Sequence, residues 1–282
     1  MLYAGRVMTI RLSRRLFSTQ VPEAFLEPLQ SHLGITCLSF NRPQAKNAIS
    51  MKLLHVKRHP TPIPIRALII RSTTMGSFCA GADLAERRTM SQIQITKFLS
   101  DLRTALGQLE TLPMPTIAAI DGPALGGGLE LSFACDLRVA GHGVTKIGLP
   151  ETRLGIIPGA GGTQRAVRLL GVSKAKALIF TAKMLTAQEA LEWGVVDYVS
   201  SPSTSAFERA VELAQEITKS GMHPHFPRAT SFSTAISRAA DLSLESGLDL
   251  ERASYEVLLP TKDRLEALEA FKEKRQPVFK GE

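Results

Sequence analysis

The sequence predicts an α/β core followed by an all-helical C-terminal part, and three observations point that way. Strand–turn–helix units recur to about residue 200. Helical patterns alone follow a Gly/Pro-interrupted stretch at 221–230, which reads as a hinge. Two glycine-rich stretches, GPALGGG and PGAGG, each lead into a helical run. The 282 residues suffice for a full core, and 44% hydrophobic with 21% charged residues is a soluble globular composition.

In chain order, GITCLSF (34–40) alternates as a strand and is stopped by Asn41-Arg42-Pro43. Residues 48–56 begin as a helix that cannot pass the prolines of HPTPIP. IRALIIR (65–71) is a buried-type strand of branched residues, and a helix starts near Asp83. Ile93, Ile95, Phe98, Leu99, Leu102, Leu106 and Leu109 form one stripe of a long helix over 93–112. PTIAAI is a strand that passes through Asp121-Gly122-Pro123 and Gly126-Gly127-Gly128 into the buried helical run LELSFACDL. Residues 137–140 and 144–148 are short strands. Helices over 163–170 and 173–181 are split by Gly171. Thr186, with Glu189 three residues on, opens a capping-box helix. VVDYVS is a strand, 206–220 a helix, and roughly 231–275 helical.

The formal charge is +8, and four of the positive charges (Arg6, Arg11, Arg14, Arg15) lie in residues 1–22, which hold no acid. With Leu, Ile and Phe interleaved, residues 1–22 read as a mitochondrial transit peptide. The remaining charge is too mild to argue for nucleic acid. No apolar run approaches the roughly 18 residues that span a membrane. Cys37, Cys79 and Cys135 are odd in number and widely spaced, which suits a reducing compartment and no disulfide framework. The six histidines form no HExxH, and His55 and His59 read as surface residues, so no metal is expected. The glycine-rich stretches lack the Lys-Ser/Thr of a P-loop and the spacing of a dinucleotide fingerprint; neither NAD nor ATP is expected.

Three features carry chemistry together: AGAD (80–83), GGGLE (126–130) and Pro150-Glu151. The first two offer backbone N–H groups at turns. The last two offer carboxylates, one of them among apolar neighbours. Two donors and two carboxylates suit chemistry on an acyl group, the donors stabilising an enolate oxygen and the carboxylates moving protons.

These blocks, FCAGADL, IDGPALGGGLELSFACDLRVA and PETRLGIIPGAGGTQR, resemble the signatures of the crotonase superfamily, the enoyl-CoA hydratases and isomerases, from about Gly34 to the C-terminus. The resemblance implies a spiral of ββα units over 28–220 and a helical trimerisation region over 221–282. It implies a homotrimer or homohexamer. It implies an oxyanion hole from the N–H groups of Ala82 and Gly127. Glu130 and Glu151 would hold a water, Glu130 as its base and Glu151 as proton donor to the α-carbon, with the Gly159 N–H beside it. Ala45, Ala80, Gly81, Asp83, Leu84 and Ala85 would contact coenzyme A, and Lys272 or Lys280 its phosphate. Coenzyme A belongs to the substrate, so no separate cofactor is implied. Both glutamates together favour a hydratase.

The tail over 260–275 is similar to that of the 3-methylglutaconyl-CoA hydratases of mitochondrial leucine breakdown, implying that substrate and the mitochondrial matrix. A short-chain enoyl-CoA hydratase or isomerase of fatty-acid oxidation is the alternative. One departure stands out: the helix that the family carries after NRPQAKNAIS is cut to MKLLHVKR and followed by HPTPIP. Relatives in this subgroup use a lysine-rich helix here to bind RNA. Lys52, Lys57, Arg58 and His59 remain without stacking aromatics, which leaves an RNA-binding or inactive crotonase-fold protein as the other class.

Overall fold

Short runs of branched and small apolar residues make the main sheet. Ile35–Phe40 (β2), Ala67–Ser72 (β3), Thr116–Ile120 (β4) and Leu137–Ala140 (β6) are buried along nearly their whole length. Parallel strands covered on both faces require this. The computed structural model describes residues 22–53, 65–219 and 235–282. The expected leader up to residue 21, the proline-rich stretch from residue 54 with His55 and His59, and the expected hinge lie outside the described residues.

The sheet order is β1-β2-β3-β4-β6-β9, where β1 is Ala24–Pro28 and β9 is Tyr198–Val199. Only the β1–β2 pairing is antiparallel. Strand alternation sends Ile35, Cys37, Ile69, Ile117 and Val139 to one face, against Ala206, Ala210 and Leu213 of α6 (Ala206–Lys219). Leu68, Ile70, Ala118 and Ile120 face the other way, into the larger core with Phe98, Leu102 and Leu106 of α2 (Gln92–Glu110).

A second, smaller sheet pairs β5 (Ala124–Leu125), β7 (Ile147–Gly148) and β8 (Met184–Leu185). Isolated bridges Ile49–Ala82 and Cys79–Ala124 join the preceding turns to it. A long strand, a short strand and a helix thus follow one another: β4, β5, then α3 (Gly127–Phe133); β6, β7, then α4 (Gly162–Phe180). Every such turn delivers a strand-to-helix junction to the second sheet.

Local chemistry places the helix starts. Asp83 accepts from the N–H groups of Ala85 and Glu86 and caps α1 (Leu84–Arg87). Thr186 and Glu189 form a reciprocal capping box on α5 (Ala187–Trp193). Gly171, at φ 77° and ψ 163°, breaks α4 where the sequence splits it. After α6 come α7 (Leu244–Glu256) and α8 (Lys262–Glu273).

Several expectations are corrected. The helix expected from residue 48 does not begin there: the Ile49 N–H donates to Gly81 O at 2.7 Å and its C=O accepts from Asp83 N at 3.1 Å, so 48–50 are extended, and the chain turns at Met51 and Lys52 into a 3-10 turn at Leu53. Ile93 is outside the α2 stripe, at 83% exposed. In the expected strand 144–148 only Ile147 and Gly148 pair, and in VVDYVS only Tyr198 and Val199 do. β1 was not read from the sequence at all, because AFLEP shows neither clean alternation nor a branched run.

Candidate active site

The three blocks that the sequence singles out meet at the second sheet. The junction before α3 is the tightest part. Gly126 has φ 51° and ψ −122°, a conformation that excludes side chains. A Cβ on Gly128 would run into Cys79 O. Phe78 N and Cys79 N both donate to Pro123 O at 3.1 Å, and Leu125 N donates to Cys79 O at 3.0 Å. Residues 78–82 and 123–127 are thereby laced side by side.

This lacing brings the N–H groups of Ala82 and Gly127 together. A Cβ built on Gly127 would lie 3.5 Å from Ala82 N, and one built on Gly81 would lie 3.4 Å from Gly127 N. Neither N–H is engaged by a described residue. Ala82 is pinned on both sides by the Ile49 bridge, and Arg42 adds a clamp: its Nη2 meets Asp83 Oδ2 at 2.6 Å while its Nη1 donates to Ala48 O at 2.9 Å.

Glu130 stands in the first turn of α3, 2% exposed. Its Oε1 accepts from Ala160 N and Gly162 N, both at 2.7 Å. Small residues in PGAGG let that backbone come so close: a Cβ on Gly162 would lie 2.8 Å from Pro158 Cβ and 3.0 Å from Glu130 Cγ. Burial pushes the Glu130 carboxyl above its ordinary value, and the two N–H groups with Arg165 and Arg103 pull it only part of the way back, so it stays raised.

Glu151 opens a single 3-10 turn, Glu151–Leu154, after β7. It is 8% exposed, and its Oε1 lies 2.8 Å from where a Gly126 Cβ would sit. Its buried Oε2 accepts no hydrogen bond from a described residue. Burial pushes its carboxyl up to about 7, held back in part by its own backbone N–H and helped by a smaller push from the nearby Glu130 charge. The site therefore holds two buried carboxylates in unlike settings, beside a pair of convergent N–H donors. Such a set can polarise a carbonyl oxygen and exchange protons with the atoms next to it.

Gly159 is in the same loop, but the N–H groups that reach Glu130 belong to Ala160 and Gly162, while Gly159 O accepts from Arg103 Nε at 2.6 Å. Sequence reasoning missed Ala160, Gly162, Arg103 and Arg42; the glycine-rich loop was the available signal for the first two. Ala45 lies in a 3-10 turn, Pro43–Ala45, half-buried. The N–H of Ala80 is taken by Lys46 O, that of Asp83 by Ile49 O and that of Ala85 by the Asp83 carboxylate. Leu84 is exposed at the start of α1. Lys272 is exposed on the last turn of α8, with no described hydrogen bond or ion pair to loop 80–85. Among the described residues no group of three or more His, Cys, Asp or Glu is placed to hold a metal ion. No described helix is long and apolar enough to cross a membrane.

Residues 30–282 match the family model described as enoyl-CoA hydratase/isomerase. The chain is 49% identical over 274 residues to the enoyl-CoA isomerase/hydratase fer4 of Mycosarcoma maydis, covering 92% of this chain and 97% of that protein. It is 45% identical over 261 residues to the mitochondrial methylglutaconyl-CoA hydratase of Homo sapiens, covering 90% and 76%. The crystal structure of enoyl-CoA hydratase from Bacillus anthracis superposes with a TM-score of 0.83 at 40% identity, covering 92% of this chain and all of that one.

Proposed function

The chain belongs to the enoyl-CoA hydratase/isomerase family, and from that premise we propose that it adds water syn across the α,β double bond of 3-methylglutaconyl-CoA. It is a hydro-lyase with the crotonase fold. One observation carries the reading: Glu130 and Glu151, both buried, flank the paired N–H groups of Ala82 and Gly127.

In the proposed reaction the thioester oxygen accepts from Ala82 N–H and Gly127 N–H. As water adds to the β-carbon, negative charge moves to that oxygen, where two preorganised donors stabilise it. Glu130, held by Ala160 and Gly162, takes the proton from the water. Glu151, raised to about 7, is protonated in a large fraction of molecules near neutral pH and delivers the proton to the α-carbon. Delivery from one side of the double bond gives syn addition. Ala45, Ala80, Gly81, Asp83, Leu84 and Ala85 form the proposed coenzyme A contact, with Lys272 reaching its phosphate. The mitochondrial names of relatives and the Arg-rich start support a matrix location. The proposed domain plan is a leader over 1–22, a core over 28–220 and a C-terminal helical region over 221–282 that assembles a homotrimer or homohexamer.

Purified protein assayed on 3-methylglutaconyl-CoA and crotonyl-CoA tests the substrate, with loss of enoyl-thioester absorbance as the readout. The expected outcome is a higher kcat/KM on the former. A preference for crotonyl-CoA would instead favour the second reading, a short-chain hydratase/isomerase, which the 49% identical isomerase/hydratase supports.

A further inference from the structure

The peptide between Gly159 and Ala160 is bonded at both ends. Its N–H, on Ala160, donates to Glu130 Oε1 at 2.7 Å. Its C=O, on Gly159, accepts from Arg103 Nε at 2.6 Å. Arg103 is an exposed residue of α2, and no other part of that helix touches the loop by a described hydrogen bond. A guanidinium at the oxygen end of an amide draws electron density toward that oxygen and leaves the N–H a stronger donor. The bond chain therefore runs from a cation through one peptide to a buried carboxylate.

The neighbouring arginine is set differently. Arg165 Nη1 donates to Ala160 O at 3.0 Å, but its Nη2 is 2.8 Å and its Nε 3.3 Å from the Glu110 carboxylate, which offsets its charge. Arg103 has no carboxylate partner among the described residues and, though second to Arg165 in its pull on the Glu130 carboxyl, it acts through the peptide whose N–H holds Glu130. The charged groups that face Glu130 are Arg103 from α2, Arg165 from α4 and Glu151 from the 3-10 turn; α3 itself carries no other charge.

We propose that Arg103 is a positioning residue for the hydration: through the Gly159–Ala160 peptide it keeps Glu130 ionised and aimed at the water it deprotonates. This rests on Glu130 being the base of the proposed reaction. Removing the cation lets the Glu130 carboxyl rise, so less of the base form is present at a given pH.

The test compares R103M, R103Q and R103K with wild type and with E130Q, reading kcat, KM and the pH profile of kcat/KM. In R103M kcat is expected to fall about tenfold with KM within about twofold, and the acid limb to move up by about half to one pH unit. R103Q, which keeps an N–H donor but no charge, is expected to show the same limb shift with a smaller loss of kcat. R103K is expected to restore the limb toward wild type. Should R103M not fold, R103Q and R103K decide by the same limb positions. A wild-type limb in R103Q overturns the proposal, as does an R103K limb no nearer to wild type than that of R103Q. An E130Q enzyme that still turns over overturns the underlying reading instead, whatever Arg103 does.

Discussion

Glu130 and Glu151 are both buried carboxylates within one site, yet their surroundings are opposite. Glu130 is seated by two backbone N–H groups, with two guanidinium groups behind them. Glu151 leaves a buried oxygen without a described partner and titrates near 7. Burial alone would push both carboxyls up; what separates them is what the chain places opposite each. PGAGG has no side chains large enough to keep its amides off Glu130, whereas Glu151 faces Gly126 and the charge of Glu130. A site that must take one proton and give another needs this asymmetry.

The largest effect that could break the comparison is on turnover. Glu130→Gln and Glu151→Gln are each expected to lower kcat by about 10²–10⁴. Undiminished turnover of 3-methylglutaconyl-CoA and crotonyl-CoA by either variant would remove that residue from the chemistry.

Stability should move further at Glu151 than at Glu130, since burial raises both carboxyls but two N–H groups offset it at Glu130. Glu151 has a folded pKa raised from 4.5 to about 7, so its contribution to stability is fully present below about 4.5 and is lost as pH rises to about 7. Glu151→Gln is therefore expected to be more stable than wild type above pH 7, by roughly 3 kcal/mol, and to converge with it near pH 4. Glu130→Gln weakens two charge-assisted bonds but also removes a buried charge, so its gain at pH 7 is expected to be smaller than that of Glu151→Gln. Denaturant midpoints at several pH values check both, and equal shifts of one sign would show that the two settings are alike.

The other half of the site sharpens the contrast. Arg42 and Asp83 are both largely buried and clamp the residue after Ala82. Arg42→Met leaves the Asp83 carboxylate with its two N–H partners but no cation. A loss of about 3 kcal/mol in stability is expected. The N–H of Ala82 should also be looser, read as a smaller red shift of a bound aryl-conjugated enoyl-CoA. An unchanged shift would mean that the Ile49 bridge alone holds Ala82.

The smallest expected effect is at Gly162→Ala. The new methyl crowds Pro158 and Glu130, at 2.8 and 3.0 Å, costing about 1–3 kcal/mol and reducing kcat. Full activity would mean that the loop yields without disturbing Glu130.

How legible was this in the sequence? Local signals served well. The helix start near Asp83, the Thr186–Glu189 box and the Gly171 break are written within a few residues, and the structure has all three. The α/β core with helices after it followed from the same local patterns. Features set by distant pairing were not legible. Ile49 looked helical because its neighbours favour a helix, but its backbone pairs with 81–83. Ile93 fits the helical period yet lies beyond the core's edge. The glycines of 126–128 and 159–162 announced close approach of backbone to something; they did not say that the second loop approaches Glu130. Arg103 and Gly159 are 56 residues apart, and only the fold joins them.

The proposed chemistry turns on Glu151 being protonated near neutral pH while Glu130 is the held base. Infrared difference titration of the carboxyl C=O stretch tests it without any substrate. The expected result is a protonated-carboxyl band in wild type that titrates near 7, is absent from Glu151→Gln, and persists in Glu130→Gln with a lower midpoint because the neighbouring charge is gone. A wild-type spectrum with no carboxyl titrating between about pH 6 and 8, or a band that vanishes in Glu130→Gln and survives in Glu151→Gln, would contradict it.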